Sequence, residues 1–429
     1  MSLARKGFFD YFTQNAALVL TFVAGLLFDR YFGRAGRGEY HLILVAYALL
    51  PNLVNMGLEI SVRVHTGRSP DQIAAIHSAG LVMIALITVL TGGMLMVFGE
   101  PIRAAFFEGV TPEFLLLAVG LLPFVLYHLL WQGIFIGLGD LYVYARVNMW
   151  NRIAQGAAVI LLITFFQPTI RWMVYAIVPI QFVTFGVTVG LMRRRCRLWT
   201  PIQFDLLRRL LTFGWLVYVG NFAVNLLQRV DVLIAKHFYT LSDVGLYGRA
   251  TMFSDKLTNV AGSFERMLYA PLARAGEEEA VFLVQKAFRH NLYLNLLGAA
   301  ALYGLALMTL SLLLPDFLDS LQPLRFLLLA VIFKSFSSIF AAWFTAYRKQ
   351  PHVPGLINWI TLPFHFVVCW NMTKHFGIVG ASAATALTFG FHAALFGTGF
   401  ALTSHGARLR AMLLPTREDL RYYFGFIRK

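Results

Sequence analysis

Charged side chains stand deep inside several long apolar stretches of this sequence. The deepest are mainly cations, Arg229, Arg249, Lys256 and Lys334, with Asp255 as the main exception. A charge at the centre of a bilayer costs roughly 2.5–3.5 kcal/mol on insertion scales, so it is tolerated where it faces water, a partner or a ligand. Because guanidinium binds phosphate through paired hydrogen bonds, a cavity lined by these cations would attract an anion such as a phosphate group.

Amide side chains form a second set beside the first cation. Asn221, Asn225 and Gln228 recur at intervals of four and three residues, which places them on one face of a helix, and Arg229 borders that face. The next apolar stretch likewise holds its two cations on one face. The four cations and these three amides are therefore the candidate ligand-binding residues.

Each of these groups also has a purely structural interpretation. The amides can tie neighbouring helices together at a gain of about 0.6 kcal/mol each. Arg249 and Lys256 can extend toward opposite membrane interfaces, and Arg229 can pair with Asp231 or with a carboxylate near the outer face. The sequence leaves both interpretations open.

Other polar groups predict packing rather than chemistry. Glu59 and Arg63 are four residues apart and predict an ion pair at a membrane interface. His128 and Gln132 share a helix face, and the histidine is expected to be a hydrogen-bonded interior group rather than a proton relay. A cation/proton exchanger would instead need buried carboxylates that release and rebind protons.

The composition determines which elements position these residues. Hydrophobic residues make up 58% of the 429 residues and charged residues 13%, about half the usual quarter. Too few charges remain to cover a soluble surface, and the apolar residues cluster in runs. A helix needs roughly 20 residues to cross ~30 Å of hydrocarbon. The sequence therefore predicts an all-α polytopic membrane protein.

We predict twelve spans, with both ends of the chain on the cytoplasmic side. In that orientation 24 of the 36 Lys and Arg residues fall in inner segments, eight in outer segments and four within spans. Cytoplasmic loops collect positive charge, so this bias supports the even count. Arg37 is one of the eight assigned to an outer loop. The predicted spans are about 8–29, 40–60, 77–98, 114–138, 147–167, 172–192, 212–235, 244–264, 291–314, 324–346, 354–373 and 377–402.

A basic connection divides the spans into two sets of six. Residues 193–211 hold six arginines, which suits a linker on the cytoplasmic face. We predict an N-terminal six-helix lobe over residues 1–200, a C-terminal six-helix lobe over 201–403 and a basic cytoplasmic tail over 404–429.

Signatures of soluble enzymes are missing from the sequence. It contains no P-loop, no GxSxG and no HExxH motif, and no connection is long enough for a separate catalytic domain. The two cysteines, Cys196 and Cys369, have no metal-ligand spacing. The net charge of +15 follows from membrane topology, so no nucleic-acid partner is predicted. We expect a protein that is not an enzyme and needs no cofactor.

Three stretches resemble a known family. They are residues 33–63, 229–274 and 376–381. Their motifs are Gly38-Glu39-Tyr40 with Gly57-Leu58, then Arg229-Val230-Asp231 with Asp243-Val244-Gly245-Leu246-Tyr247 and Tyr269-Ala270-Pro271-Leu272, and last Phe376-Gly377-Ile378-Val379-Gly380-Ala381. In their order and spacing, and with twelve spans in two sixes, they resemble the Wzx-type flippases. These are polysaccharide biosynthesis proteins of the multidrug/oligosaccharidyl-lipid/polysaccharide exporter superfamily.

The resemblance implies a carrier that moves a polyprenyl-phosphate-linked saccharide from the inner to the outer leaflet of a bacterial inner membrane. Its implied partners are that lipid-linked glycan, membrane lipids and other polysaccharide assembly proteins. One lobe would rock against the other to alternate access. The family supplies no site residues, so the assignment rests on the polar stripes. We assign the four cations to the phosphate, and Asn221, Asn225 and Gln228 to sugar hydroxyls.

Two alternative functions remain. The first is a cation- or proton-coupled multidrug antiporter of the same superfamily, which predicts drug efflux driven by an ion gradient. The second is a membrane scaffold that recruits glycosyltransferases through its basic linker and tail, which predicts binding of enzymes without movement of lipid.

Overall fold

The computed structural model describes residues 3–107, 110–272, 274–404 and 412, and the described residues are almost wholly helical, with no strand among them. The all-α fold predicted from composition is therefore confirmed. The predicted basic tail over 404–429 lies almost entirely outside the described residues.

Thirteen α-helices follow one another along the described chain. A 3₁₀ turn precedes α3 and another precedes α12, and a π-helical turn, Trp343–Tyr347, extends α12. The helices are α1 Leu3–Val54, α2 Leu58–Arg68, α3 Ile73–Phe106, α4 Pro112–Gly137, α5 Leu141–Phe166, α6 Ile170–Tyr175, α7 Ile177–Arg193, α8 Phe204–Leu227, α9 Val230–Phe238, α10 Leu241–Leu272, α11 Glu277–Leu313, α12 Leu321–Ala342 and α13 His352–Thr403.

The two longest helices, α1 and α13, each reverse direction at a glycine. Gly33 has φ 66° and ψ −170°, and Gly377 has φ 66° and ψ −152°. These dihedrals lie in a region that is essentially restricted to glycine. The rings of Phe28 and Tyr40 are 4.6 Å apart, although a straight helix would separate them by about 18 Å along its axis. Each of these helices is therefore a hairpin with two membrane-length legs.

Each of the twelve predicted spans falls on helical segments once each hairpin is counted as two legs, but three of them, 40–60, 172–192 and 212–235, run across a break between two helices. By length and apolarity, eight helices of the described chain can cross a membrane, and a ninth candidate is the pair Val19–Val54 and Leu58–Arg68, bent by 53°. Large apolar side chains are exposed along several of them, among them Met96 at 90% and Leu402 at 81%. Such exposure suits contact with hydrocarbon, and the chain is a multi-pass membrane protein.

The described chain packs into two compact units. The first unit comprises residues 1–229 and 240–245, and the second comprises 230–239 and 246–429. Helix α8 belongs to the first unit, where the Ser61 hydroxyl donates to the Leu210 carbonyl at 2.7 Å and the Tyr218 hydroxyl donates to the Leu53 carbonyl. The predicted lobe boundary near residue 200 concerns membrane lobes and stays a prediction.

Each unit has its own aromatic anchor. Trp131 in α4 is completely buried within the core of the first unit. Trp343 at the end of α12 is completely buried within the second, where its indole N–H donates to the Thr403 hydroxyl at 3.1 Å. This bond ties the π-helical turn to α13.

Candidate functional site

A buried ion pair closes the hairpin in α1. A guanidinium nitrogen of Arg37 lies 3.5 Å from a carboxylate oxygen of Asp29, and their side chains are 8% and 0% exposed. The two residues are eight positions apart, and they meet because Gly33 reverses the chain midway between them. The charge pattern of the sequence predicts Arg37 in an outer loop, but Arg37 lies inside a helix and is buried.

Further positive charge gathers beside this pair. The ring of His41, itself buried, is within electrostatic range of both Arg37 and Arg229. Arg229 is partly buried at the junction of α8 and α9, where its backbone N–H donates to the Leu226 carbonyl at 3.0 Å. The guanidinium groups of Arg37 and Arg229 thus lie in one region of the first unit, together with the Asp29 carboxylate and the His41 ring.

The three candidate amides continue this region along α8. Asn221 and Asn225 are partly buried, and Gln228 is exposed. Gln228 caps the helix with α-helical dihedrals, φ −87° and ψ −10°, so the face formed by the three residues is unbroken. The structure therefore brings together four of the seven candidates, Arg229 and the three amides, on one short stretch of the first unit.

The other three candidates belong to the second unit, where Lys334 borders a buried polar network. Its ammonium nitrogen lies 5.8 Å from the ring centroid of Phe389, and it is within electrostatic range of His392. The His392 ring bonds the Ser337 hydroxyl through Nδ1 and the Asn358 side-chain oxygen through Nε2, both at 2.9 Å. This network lies between α12 and α13 and offers neutral hydrogen-bonding groups beside one cation.

Arg249 and Lys256 differ in accessibility. Arg249 is completely buried, its Nη1 donates to the Met252 sulfur at 3.2 Å, and its guanidinium lies 4.9 Å from the ring centroid of Phe253. The alternative in which Arg249 extends to a membrane interface is therefore wrong for this conformation. Lys256, two turns further along α10, is only partly buried.

Asp231 has hydrogen-bond partners within the second unit. The Tyr247 hydroxyl donates to its carboxylate, the Thr385 hydroxyl donates at 3.3 Å, and the Val232 backbone N–H donates at 2.9 Å. The carboxylate is 4% exposed. From the sequence, Asp231 is predicted as a candidate partner of Arg229. The structure adds a buried acidic site on α9 held by α10 and α13.

Two structural predictions are confirmed in the first unit. The Arg63 guanidinium donates to the Glu59 carboxylate one helical turn away. His128 Nε2 bonds the side-chain oxygen of Asn148 at 3.2 Å, so it is a hydrogen-bonded interior histidine as expected.

Three residues of this region, Asp29, Arg37 and His41, are not among the candidates that the sequence predicts. Their spacing carried a signal, because Asp29 and Arg37 lie symmetrically four residues on either side of Gly33. A sharp reversal at that glycine would have predicted the ion pair. The ion pair is not predicted when Arg37 is assigned to a loop by its charge alone.

Comparison with known proteins gives structural matches only. No protein-family model matches the sequence. No curated protein matches it either. Among solved structures, it is similar to lipid II flippase MurJ in an inward closed conformation, with 14% identity, a TM-score of 0.74 and coverage of 92% of this chain and 87% of that one. An inward-facing MATE multidrug resistance transporter of the MOP superfamily has 13% identity, a TM-score of 0.70 and coverage of 90% and 94%.

A third similar structure is a MOP superfamily transporter from Pyrococcus furiosus, with 13% identity, a TM-score of 0.53 and coverage of 94% of this chain and 93% of that one. At these identities the likeness shows the fold alone. The chain therefore has the same overall fold as these solved transporters.

Proposed function

We propose that this protein is a carrier that moves an anionic, lipid-linked saccharide across the inner membrane of a bacterium by alternating access, with both termini in the cytoplasm. The observation that carries the proposal is a second guanidinium, that of Arg229, which is partly buried and within electrostatic range of the His41 ring beside the Arg37–Asp29 ion pair, in a membrane protein of this fold. In this proposal the protein moves its cargo without changing it chemically and is not an enzyme.

The chemistry of such a cargo matches the available groups. Each buried CH₂ of a polyprenyl tail contributes about 0.8 kcal/mol to membrane attachment, so the tail stays in lipid while the headgroup crosses. The headgroup then needs cations for its phosphate and hydrogen bonds for its sugars. We assign the phosphate to Arg229, Arg249, Lys256 and Lys334, and the sugar hydroxyls to the three amides of α8.

The similarity to lipid II flippase MurJ supports this choice of cargo class, because that protein is described as moving a lipid. The partners we propose are the lipid-linked glycan, the surrounding membrane lipids and other proteins of polysaccharide assembly. Arg249 is enclosed in this conformation. We therefore propose that Arg229, which is partly accessible, meets the phosphate first.

Reconstitution into proteoliposomes tests the proposal. The probe is a polyprenyl-diphosphate disaccharide with a fluorophore on the sugar, and an impermeant reductant reports how much of it reaches the outer leaflet. We expect Arg229→Gln to slow translocation about tenfold or more, since one charge-assisted contact contributes about 1.5–3 kcal/mol. The matched control is Arg325→Gln, an exposed arginine that donates to the Tyr303 hydroxyl at 2.9 Å. Unchanged translocation by Arg229→Gln and by a triple variant that adds Arg249→Gln and Lys334→Gln would contradict the proposal.

A second candidate function is an ion-coupled multidrug antiporter. The observation that favours it is the pair of buried carboxylates, Asp29 and Asp231, because a coupled exchanger needs such groups. In this case Asp231→Asn would abolish efflux of a cationic dye driven by an imposed ion gradient, and the lipid probe would not move. A scaffold without transport activity would move neither substrate.

A further inference from the structure

A groove with apolar walls lies between α5 and α7 in the first unit. Its volume is about 680 Å³. Residues of α5 line it at helical spacing, from Val143 through Val147 to Ala154, and residues of α7 line it from Pro179 to Leu191. Its mouth is open, since Trp150 is 58% exposed and Val183 is 66% exposed. An open apolar groove of a membrane protein is in contact with lipid chains.

One end of the groove is cationic. Arg146, near the start of α5, and Arg194, just after the end of α7, both line it and are both exposed. They lie at the same end because α7 runs back along α5 after a short connection. Arg146 stacks 5.5 Å from the ring centroid of Tyr142. Among the described side chains, neither arginine forms an ion pair with a carboxylate.

The polar side chains in and beside the wall of the groove are bonded to one another. The Asn151 amide donates to the Thr184 hydroxyl at 3.1 Å, and Gln155 donates to the Asn151 side-chain oxygen at 2.5 Å. The first of these bonds joins α5 to α7, and the second lies within α5. From Arg146 to Ala154 the groove therefore presents about 12 Å of largely apolar helix surface beside a pair of guanidinium groups.

We propose that this groove binds one anionic membrane phospholipid of the phosphatidylglycerol type. The acyl chain lies along the walls formed by α5 and α7, and the phosphate lies between Arg146 and Arg194. The predicted orientation puts these arginines at the cytoplasmic headgroup level, where anionic lipids concentrate. The groove shares no residue with the region of Arg37, His41 and Arg229, so the bound lipid is a resident of the carrier and not its cargo.

Trp150 provides a direct readout of binding. The purified full-length protein is titrated in a neutral detergent with phosphatidylglycerol brominated on its chains, and quenching of tryptophan fluorescence is measured. Trp150→Phe identifies the part of the quenching that comes from the groove. We expect that part to show binding of phosphatidylglycerol roughly 10- to 30-fold tighter than of phosphatidylcholine with the same brominated chains.

The double variant Arg146→Gln, Arg194→Gln should lose this preference while its unfolding temperature is unchanged, because both side chains are exposed. The matched control is Arg193→Gln, Arg197→Gln, which removes two exposed charges from the same segment outside the groove and should keep the preference. Three results would overturn the proposal: equal binding of the two lipids by the natural protein, an undiminished preference in the double variant, or an equal loss in the control. Since the readout is binding, it is independent of whether the cargo is a lipid-linked saccharide.

Discussion

The hairpins of α1 and α13 have the same sequence pattern and the same backbone turn. Each carries Phe-Gly-x-x-Gly, as Phe32-Gly33 with Gly36 and as Phe376-Gly377 with Gly380. The first glycine has φ 66° in both. A Cβ on the second glycine would lie 2.7 Å from the Phe32 Cβ in one hairpin and 2.9 Å from the Phe376 Cβ in the other. The two reversals thus share a sequence motif of one phenylalanine and two glycines.

The two hairpins differ in what joins their legs. Four residues before and after the turn, the first has Asp29 and Arg37, and the second has Thr373 and Ala381. Because the second turn forms with neutral residues at these positions, the turn itself does not require an ion pair. Burying two charges costs several kcal/mol each before their attraction repays it. The comparison indicates that the charges of the first hairpin serve the region around His41 and Arg229 rather than the turn.

The largest effect is expected when the two charged residues of the first hairpin are replaced by the neutral residues of the second. Asp29→Thr or Arg37→Ala alone should lower the free energy of unfolding by about 3–5 kcal/mol, because each leaves one buried charge without its ion-pair partner. The double variant Asp29→Thr, Arg37→Ala should recover most of that loss. Denaturant unfolding of the purified protein measures all three, and translocation of the lipid-linked probe by the double variant should nevertheless be strongly reduced. A double variant as unstable as the singles would show that the turn depends on the charges.

The next largest effect concerns the second glycine of each pattern. A Cβ on Gly380 would also lie 2.0 Å from the Met372 backbone carbonyl oxygen, whereas a Cβ on Gly36 meets only side-chain atoms. Gly380→Ala should therefore cost about 2–3 kcal/mol and Gly36→Ala less, as expected for overpacking. Thermal unfolding compares the two. Equal losses would mean that the legs of the two hairpins can separate equally well.

A smaller and more even effect is expected at the turn glycines. Gly33→Ala and Gly377→Ala should each cost about 1–3 kcal/mol, since the new Cβ has room but the dihedrals are unfavourable for alanine. Gly93→Ala and Gly304→Ala are the matched controls, because both sites are helical with open space around them. A turn glycine that tolerates alanine as well as its control would contradict the common backbone mechanism.

The smallest effect is expected at Thr373, which occupies the position in the second hairpin that Asp29 occupies in the first. The Thr373 hydroxyl contacts only the Cys369 sulfur, at 3.7 Å, among the side chains for which a bond is described. Thr373→Val keeps the shape and should change the free energy of unfolding by less than about 1 kcal/mol. A loss as large as that of Asp29→Thr, measured under the same conditions, would remove the contrast between the hairpins.

Much of the fold could be predicted because burial in lipid leaves a strong signal in sequence. Twelve apolar stretches of sufficient length predict the spans. The four-residue spacing of Glu59 and Arg63 predicts their ion pair. The charge of Arg37 was misplaced for a physical reason. Hydropathy assumes that a cation between two spans needs a loop, but a reversal at one glycine leaves no loop, and a carboxylate eight residues away neutralises the charge.

The candidate site was only partly predictable for a related reason. Helical spacing correctly grouped Asn221, Asn225 and Gln228 with Arg229, since these residues are neighbours along the chain. It could not bring His41 to Arg229, because that proximity depends on how α8 packs in the first unit. Nor could it show that Arg249 is enclosed by Met252 and Phe253, because enclosure is a property of packing.

The loopless turn at Gly33 also bears on how the nascent chain reaches the bilayer. Asp29 leaves the ribosome before Arg37, and a leg carrying either charge alone would cross the hydrocarbon at a cost of roughly 2.5–3.5 kcal/mol. Inserted together, the two legs bring their charges in as a neutral pair, within the eleven residues that separate Phe28 from Tyr40. Synthesis of this segment therefore favours entry of both legs as one unit, and a foreign tag inserted at residue 33 would interrupt that step.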